Sequence, residues 1–162
     1  MEVFTTYFSP LGTILLTATD AGLTGLWLDT QQPPRISRTR QDDNPAFGPV
    51  KAWLDAYFRS EQPNPRILPL DPPVTAFQKA VWAELLAIPY GESQTYGDIA
   101  KSVGSPRGAQ AVGQAVGRNP IGIIIPCHRI LGAGGQLTGF AWGLDKKKWL
   151  LRHEGVDYID HP

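Results

Sequence analysis

Apolar and polar residues alternate three times within the first thirty positions. The stretches "VFTTYFS", "TILLTAT" and "LTGLWLD" each read as a short strand, with turn residues in "SPLG" and "DAG" between them. A polar loop, "QQPPRISRTRQDDNP", follows. The period then changes. In "FGPVKAWLDAYFRS" the apolar residues Val50, Trp53, Leu54, Tyr57 and Phe58 recur at helical spacing. The Pro-rich "EQPNPRILPLDPP" predicts a linker holding one short strand, which puts a boundary near Pro73 and divides the chain into 1–73 and 74–162.

Beyond the boundary the pattern is helical. Thr75 and Gln78 have capping-box spacing and open a helix carrying Phe77, Val81, Trp82, Leu85 and Ile88, which ends at "PYG". Thr95 can cap a short helix that stops at Gly104. Ser105 with Pro106 supplies a fresh N-cap and a first helical position for another. Two short helices joined through a Gly-containing turn predict a helix-turn-helix. The second is nearly without bulk: Gly108, Ala109, Ala111, Gly113, Ala115 and Gly117 leave Val112 and Val116 as its core residues. Such a helix suits either tight packing against another helix or close approach to a nucleic-acid groove, with Arg107 and Arg118 flanking it.

Composition narrows the picture. The 162 residues are 42% apolar and 19% charged, which supports a packed core and excludes a disordered chain. No apolar run approaches the ~20 residues of a membrane span, and no leader pattern opens the chain, so a cytoplasmic location is expected. The formal net charge is zero, yet Lys101 to Lys148 holds seven basic residues (Lys101, Arg107, Arg118, Arg129, Lys146, Lys147 and Lys148) against one acidic residue, Asp145. That excess suits a phosphate backbone or a solvated face.

The candidate chemistry lies in "IGIIIPCHRILG". The isoleucine run reads as a buried strand, and at its exit stands Cys127, the one cysteine. A single thiol excludes a disulfide framework and a cysteine-rich zinc site. It is either a small core residue or a nucleophile. His128 and Arg129 stand within one turn and could favour a thiolate. Adjacent side chains on an extended backbone diverge, so a bridging water is the natural relay between Cys127 and His128. Glu154 in "WLLRHEG" is a carboxylate available to orient that histidine. The glycine-rich "LGAGGQLTGF" offers a loop able to close over a substrate.

"IPCHRI", with "RNP" just upstream and "WLLRHEG" downstream, resembles the O6-alkylguanine-DNA alkyltransferases, also called methylated-DNA–protein-cysteine methyltransferases. The resemblance covers the whole chain and is strongest from Phe77 to Gly155. It implies an α+β fold. A small N-terminal antiparallel sheet with one helix, ribonuclease-H-like, precedes a helical domain with a helix-turn-helix of winged-helix-like form. It further implies that Cys127 accepts the alkyl group from a flipped-out base. His128 is then the water-linked base and Glu154 its orienting carboxylate. Asn119 braces the turn before the active-site segment, and Tyr96 donates to the base. The carbonyls of Cys127 and Ile130 accept from the guanine amine, the Ala141 amide faces O6, and Phe140 and Trp142 line the pocket. DNA contacts are expected from Arg107, Gln110, Ala111, Gln114, Arg118 and Arg129. The small-residue helix enters the minor groove, ~6 Å wide.

Two positions depart from the family pattern. Gln110 stands where an arginine normally enters the gap left by the base, which implies weaker DNA binding or slower extrusion. Phe140 replaces a common tyrosine, and Trp142 a glycine of some members, which narrows the pocket mouth against large alkyl groups. The family's N-terminal zinc site is excluded, because no Cys or His precedes residue 127. No metal or organic cofactor is implied. The expected partner is double-stranded DNA containing alkylated bases, bound by a monomer, with cooperative assembly on DNA left open. Two other classes compete. A sensor of alkylated bases would lack the nucleophilic cysteine. A cysteine hydrolase would assemble its Cys–His pair from distant segments.

Overall fold

The computed structural model describes residues 2–33, 36–104 and 108–160. They divide into two units: 1–73 with 120–122, and 74–119 with 123–162.

In the first unit, β1 (Glu2–Ser9), β2 (Gly12–Thr19) and β3 (Gly22–Leu28) form an antiparallel meander, as the alternation and turn residues predict. Val3, Thr5, Ile14, Leu16 and Ala18 are buried, the period-2 signature of a half-covered sheet. The sheet is mixed rather than three-stranded. A short β4 (Arg38–Arg40) lies inside the predicted polar loop and pairs parallel to β1, giving the order β3-β2-β1-β4. Its place is held by side-chain polarity. Arg38 pairs with Glu2, whose other oxygen accepts from Thr24 at 3.0 Å.

The free edge of β3 is covered. Leu23 donates its N–H to the Pro69 carbonyl (2.9 Å), and Leu26 donates to that of Pro120 (2.7 Å). The Pro-rich segment supplies a 3-10 turn at Pro65–Ile67 and an isolated bridge at Leu70 in place of the expected strand. Gly22 is required here. Its φ is +150°, and a Cβ would stand 2.5 Å from the Pro69 carbonyl oxygen. Helix α1 (Phe47–Phe58) buries Phe47, Val50, Trp53, Leu54 and Tyr57.

In the second unit, α2 (Ala76–Leu86) starts at the complete Thr75–Gln78 capping box. A second box, Thr95 with Asp98, starts α3 (Tyr96–Ser102). The next helix is α4 (Gly108–Gly117); the Ser105 and Pro106 start signal lies outside the described residues. Val112, Ala115 and Val116 form the buried stripe of α4, and Trp82 of α2 donates to the Ala115 carbonyl at 3.3 Å. β5 (Gln94–Thr95) pairs parallel with β6 (Ile130–Leu131). Helix α5 (Leu144–Glu154) ends at Gly155, whose left-handed φ of +73° closes the helix. No helix among the described residues is long and apolar enough to cross a membrane.

Candidate active site

The isoleucine run is buried, but it is not a strand. Between α4 and β6 the chain makes one isolated bridge at Ile121 and then turns, with Ile123 at φ +65°. A β-branched residue is unfavourable there, so surrounding contacts hold it. Local bonds take the carbonyl that a ladder would need. The Asn119 amide donates to the Ile125 carbonyl at 2.8 Å, and the Cys127 N–H donates to the same oxygen at 2.8 Å. Apolar character alone reports burial; it does not choose between strand and packed turn. Cys127 then opens a 3-10 turn, Cys127–Arg129, that runs directly into β6.

This turn brings the chemistry together. His128 is fully buried, and its Nε2 lies 2.5 Å from Glu154 Oε2 on α5. The other carboxylate oxygen accepts from Arg129 Nε at 2.6 Å. Burial works to raise the Glu154 pKa, but the charge and hydrogen bond of His128, followed by those of Arg129, outweigh it and hold the carboxyl at about 2. His128 Nδ1, the nitrogen turned away from Glu154, is buried and has no protein partner among the described residues. At Cys127 burial dominates and pushes the thiol pKa up. Against it act a hydrogen bond with Asn119, the charge of Lys147 and the backbone N–H groups of the turn. The resting sulfur is therefore a neutral thiol, ionised only when a base takes its proton.

Arg129 is not on a DNA-facing surface, contrary to the sequence expectation. It is 7% exposed, pairs with Glu154, donates to the Ile88 carbonyl at 2.8 Å and lies over the Tyr90 ring. A guanidinium with a carboxylate, a carbonyl and an aromatic face is held inside the fold.

The segment after the 3-10 turn contributes the other predicted pocket residues. The Tyr96 hydroxyl stands 3.3 Å from Thr138 Oγ1. Phe140 is half-buried and packs on Trp142 with ring centroids 5.9 Å apart; Trp142 is itself buried, and Ala141 between them is exposed. Ile130 is fully buried, and its carbonyl accepts from Lys147 Nζ at 2.7 Å. Among the described residues no group of His, Cys, Asp or Glu is placed to hold a metal ion.

Two family models match the chain. Residues 3–72 match the 6-O-methylguanine DNA methyltransferase ribonuclease-like domain, and residues 76–156 match the DNA binding domain of the same family. The chain belongs to the 6-O-methylguanine DNA methyltransferase family. A methylated-DNA–protein-cysteine methyltransferase of Haemophilus influenzae is 43% identical over 97% of this chain and 88% of its own length. That of Mycobacterium leprae is 46% identical over 90% and 88%. Among solved structures, Mycobacterium tuberculosis OGT in complex with DNA has a TM-score of 0.85 at 42% identity, covering 94% of this chain and 92% of that one.

In this family member, α4 presents the face expected from its composition. Gln110, Gln114, Gly117 and the following Arg118 are exposed and Ala111 half-buried, opposite the Val112–Ala115–Val116 stripe; Arg107 lies outside the described residues. Packing inside the chain does not explain its glycines. No described heavy atom lies within 4 Å of a Cβ built at Gly117, and at Gly113 the nearest, the Tyr96 ring, is at 3.8 Å.

Lys147 was counted above among surface cations, yet it is 1% exposed. Its signal was present in the sequence. Lys147, Leu150, Leu151 and Glu154 fall on one helical face at i, i+3, i+4 and i+7, and all four are buried. The basic run on either side concealed it.

Proposed function

We propose that this chain repairs O6-alkylguanine, and more weakly O4-alkylthymine, in duplex DNA by moving the alkyl group onto Cys127. The observation that carries the reading is the buried His128–Glu154 pair, 2.5 Å apart, adjoining the one cysteine. Its support beyond geometry is membership of the methyltransferase family. The α4 face of small residues enters the minor groove, and the damaged base leaves the stack to reach the thiol.

His128, kept in orientation by Glu154, takes the thiol proton through a water at Nδ1. The thiolate attacks the alkyl carbon. A carbon–sulfur bond forms, the carbon–oxygen bond breaks, and its electron pair stays with the guanine. The Tyr96 hydroxyl gives its proton to the departing base, and the proton held by His128 returns to the phenolate through solvent, so that in net the proton lost by Cys127 ends on the guanine. The product is restored guanine and a thioether. No group of the site can reverse that bond, so each molecule acts once.

Intact-mass spectrometry after incubation with a duplex containing one O6-methylguanine tests this. The expected result is the gain of one methyl group on Cys127, stopping at one equivalent, and none on Cys127→Ser, which still binds the duplex. Tight lesion-selective binding without mass gain would make the chain a damage sensor.

A further inference from the structure

The turn after β6 has little of its own to hold it. Gly132, Ala133, Gly134 and Gly135 carry one methyl group between them, and Gly134 and Gly135 have φ of +72° and +83°. Glycine loses the most conformational freedom on ordering, so such a turn needs anchors from outside. The segment after α5 supplies them. Leu137 donates its N–H to the Ile159 carbonyl (2.7 Å), and Ile159 donates its own to the Gly135 carbonyl (2.8 Å), bracketing Gln136 in a parallel bridge. The Ile159 side chain is 47% exposed, so its main chain makes the contact.

The segment is itself fastened to α5. Val156 donates to the Leu151 carbonyl at 2.8 Å, and Leu131, Leu151 and Val156 form a buried cluster against which Leu137 and Tyr158 pack. The Arg152 guanidinium lies over the Tyr158 ring, and Lys148 pairs with Asp160 at 2.7 Å.

We propose that residues 156–160 are a positioning segment for the base pocket: by clamping the main chain at Gln136 and Leu137, they fix the near end of the wall formed by residues 138–142 and so set how large an alkyl group is admitted. The inference rests on the alkyl-transfer reading given above.

The wall is spanned between two ends. Its far end is fixed where Trp142 is buried and α5 begins at Leu144. Its near end, Thr138, directly follows the bridge, and its hydroxyl stands 3.3 Å from that of Tyr96. Between the ends Phe140 packs on Trp142, and Gly139 and Gly143 flank the pair, Gly143 with φ +93°. With both ends held, the two rings keep the mouth narrow. With the near end released, the wall swings about its glycines. A bulkier group then enters, while a methyl group is aligned less well with the thiol.

Two variants test the proposal. Ile159→Pro removes the N–H that meets Gly135 at a site where no buried side chain is lost. Tyr158→Ala with Asp160→Ala removes the ring under Arg152 and the partner of Lys148, and it carries the test if Ile159→Pro does not fold. Each is read by single-turnover transfer from duplexes holding one O6-methylguanine or one O6-benzylguanine, with duplex affinity measured by fluorescence anisotropy. The ratio of benzyl to methyl transfer should rise several-fold while duplex affinity keeps its wild-type value. A chain that was merely destabilised would lose both transfers in proportion. A folded variant with the wild-type ratio would overturn the proposal. Hydrogen exchange without DNA keeps the two readings apart: peptides covering residues 136–143 should exchange faster in the variants, and those of α1 at the wild-type rate. Wild-type chain that takes up neither alkyl group defeats the transfer reading alone, whereas unchanged exchange over residues 136–143 overturns the anchoring.

Discussion

Replacing Glu154 with Gln keeps the shape of the side chain and removes the charge that His128 and Arg129 both use. The folded protein holds this carboxyl at about 2 instead of 4.5. At about 1.36 kcal/mol per pH unit, the difference corresponds to roughly 3 kcal/mol of stability. Because the folded state binds the proton less tightly than the unfolded state, the contribution is complete above pH 4.5 and fades as the pH falls through about 2. Glu154→Gln lacks it at every pH. Urea unfolding followed by tryptophan fluorescence, run on both proteins across pH 7 to 3, follows the loss of the pairing of Glu154 with His128 and Arg129, since all other carboxyl groups titrate in both. The gap between them should be about 3 kcal/mol at pH 7 and narrow to about 1 kcal/mol at pH 3. A gap that stays constant over that range would refute the assignment of the ion-paired, depressed carboxyl to Glu154. Transfer to O6-methylguanine DNA should also slow in Glu154→Gln, because the imidazole loses the group that orients it.

Two further changes probe the turn and the DNA face. Asn119→Ala leaves the Ile125 carbonyl without its amide donor and removes a hydrogen bond that opposes the rise in the Cys127 pKa. Stability should fall by about 1–3 kcal/mol, and the pH midpoint of thiol alkylation should move up; an unmoved midpoint would remove Asn119 from thiol activation. Gln110→Arg adds a cation to the exposed face of α4. It should steepen the log–log salt dependence of duplex binding by about one unit, measured by fluorescence anisotropy. An unchanged slope would mean that this position never meets a phosphate.

Where local chemistry fixes local structure, the fold could be read from the residues. The turns at "SPLG" and "DAG" and the caps at Thr75 and Thr95 all stand where their side chains demand, because each needs only partners a few residues away. β4 was hidden for the opposite reason: three polar residues are held by pairing with β1, thirty-six positions earlier for Arg38 and Glu2. The isoleucine run was misread because strand and packed turn bury the same side chains. What separates them here is the Asn119–Ile125 hydrogen bond and the positive φ of Ile123, neither visible in apolar periodicity. At the site, the neighbours His128 and Glu154 were suggested by chemistry alone. Arg129 and Lys147 were placed outside because charge implies solvent on average, whereas both are satisfied internally.

The empty space beside the α4 glycines has a consequence for anyone stabilising this chain. Neither Gly113 nor Gly117 has a positive φ, and a methyl group at either meets at closest an aromatic ring at ordinary contact distance. Alanine at each would raise helix stability by up to about 1 kcal/mol without disturbing a neighbour. Heat tolerance can thus be gained on the very surface proposed to enter the groove, where each added methyl would stand between the helix and the duplex. Selecting variants for melting temperature alone would admit changes that give a sturdier helix and, on the proposed docking, a looser grip on DNA.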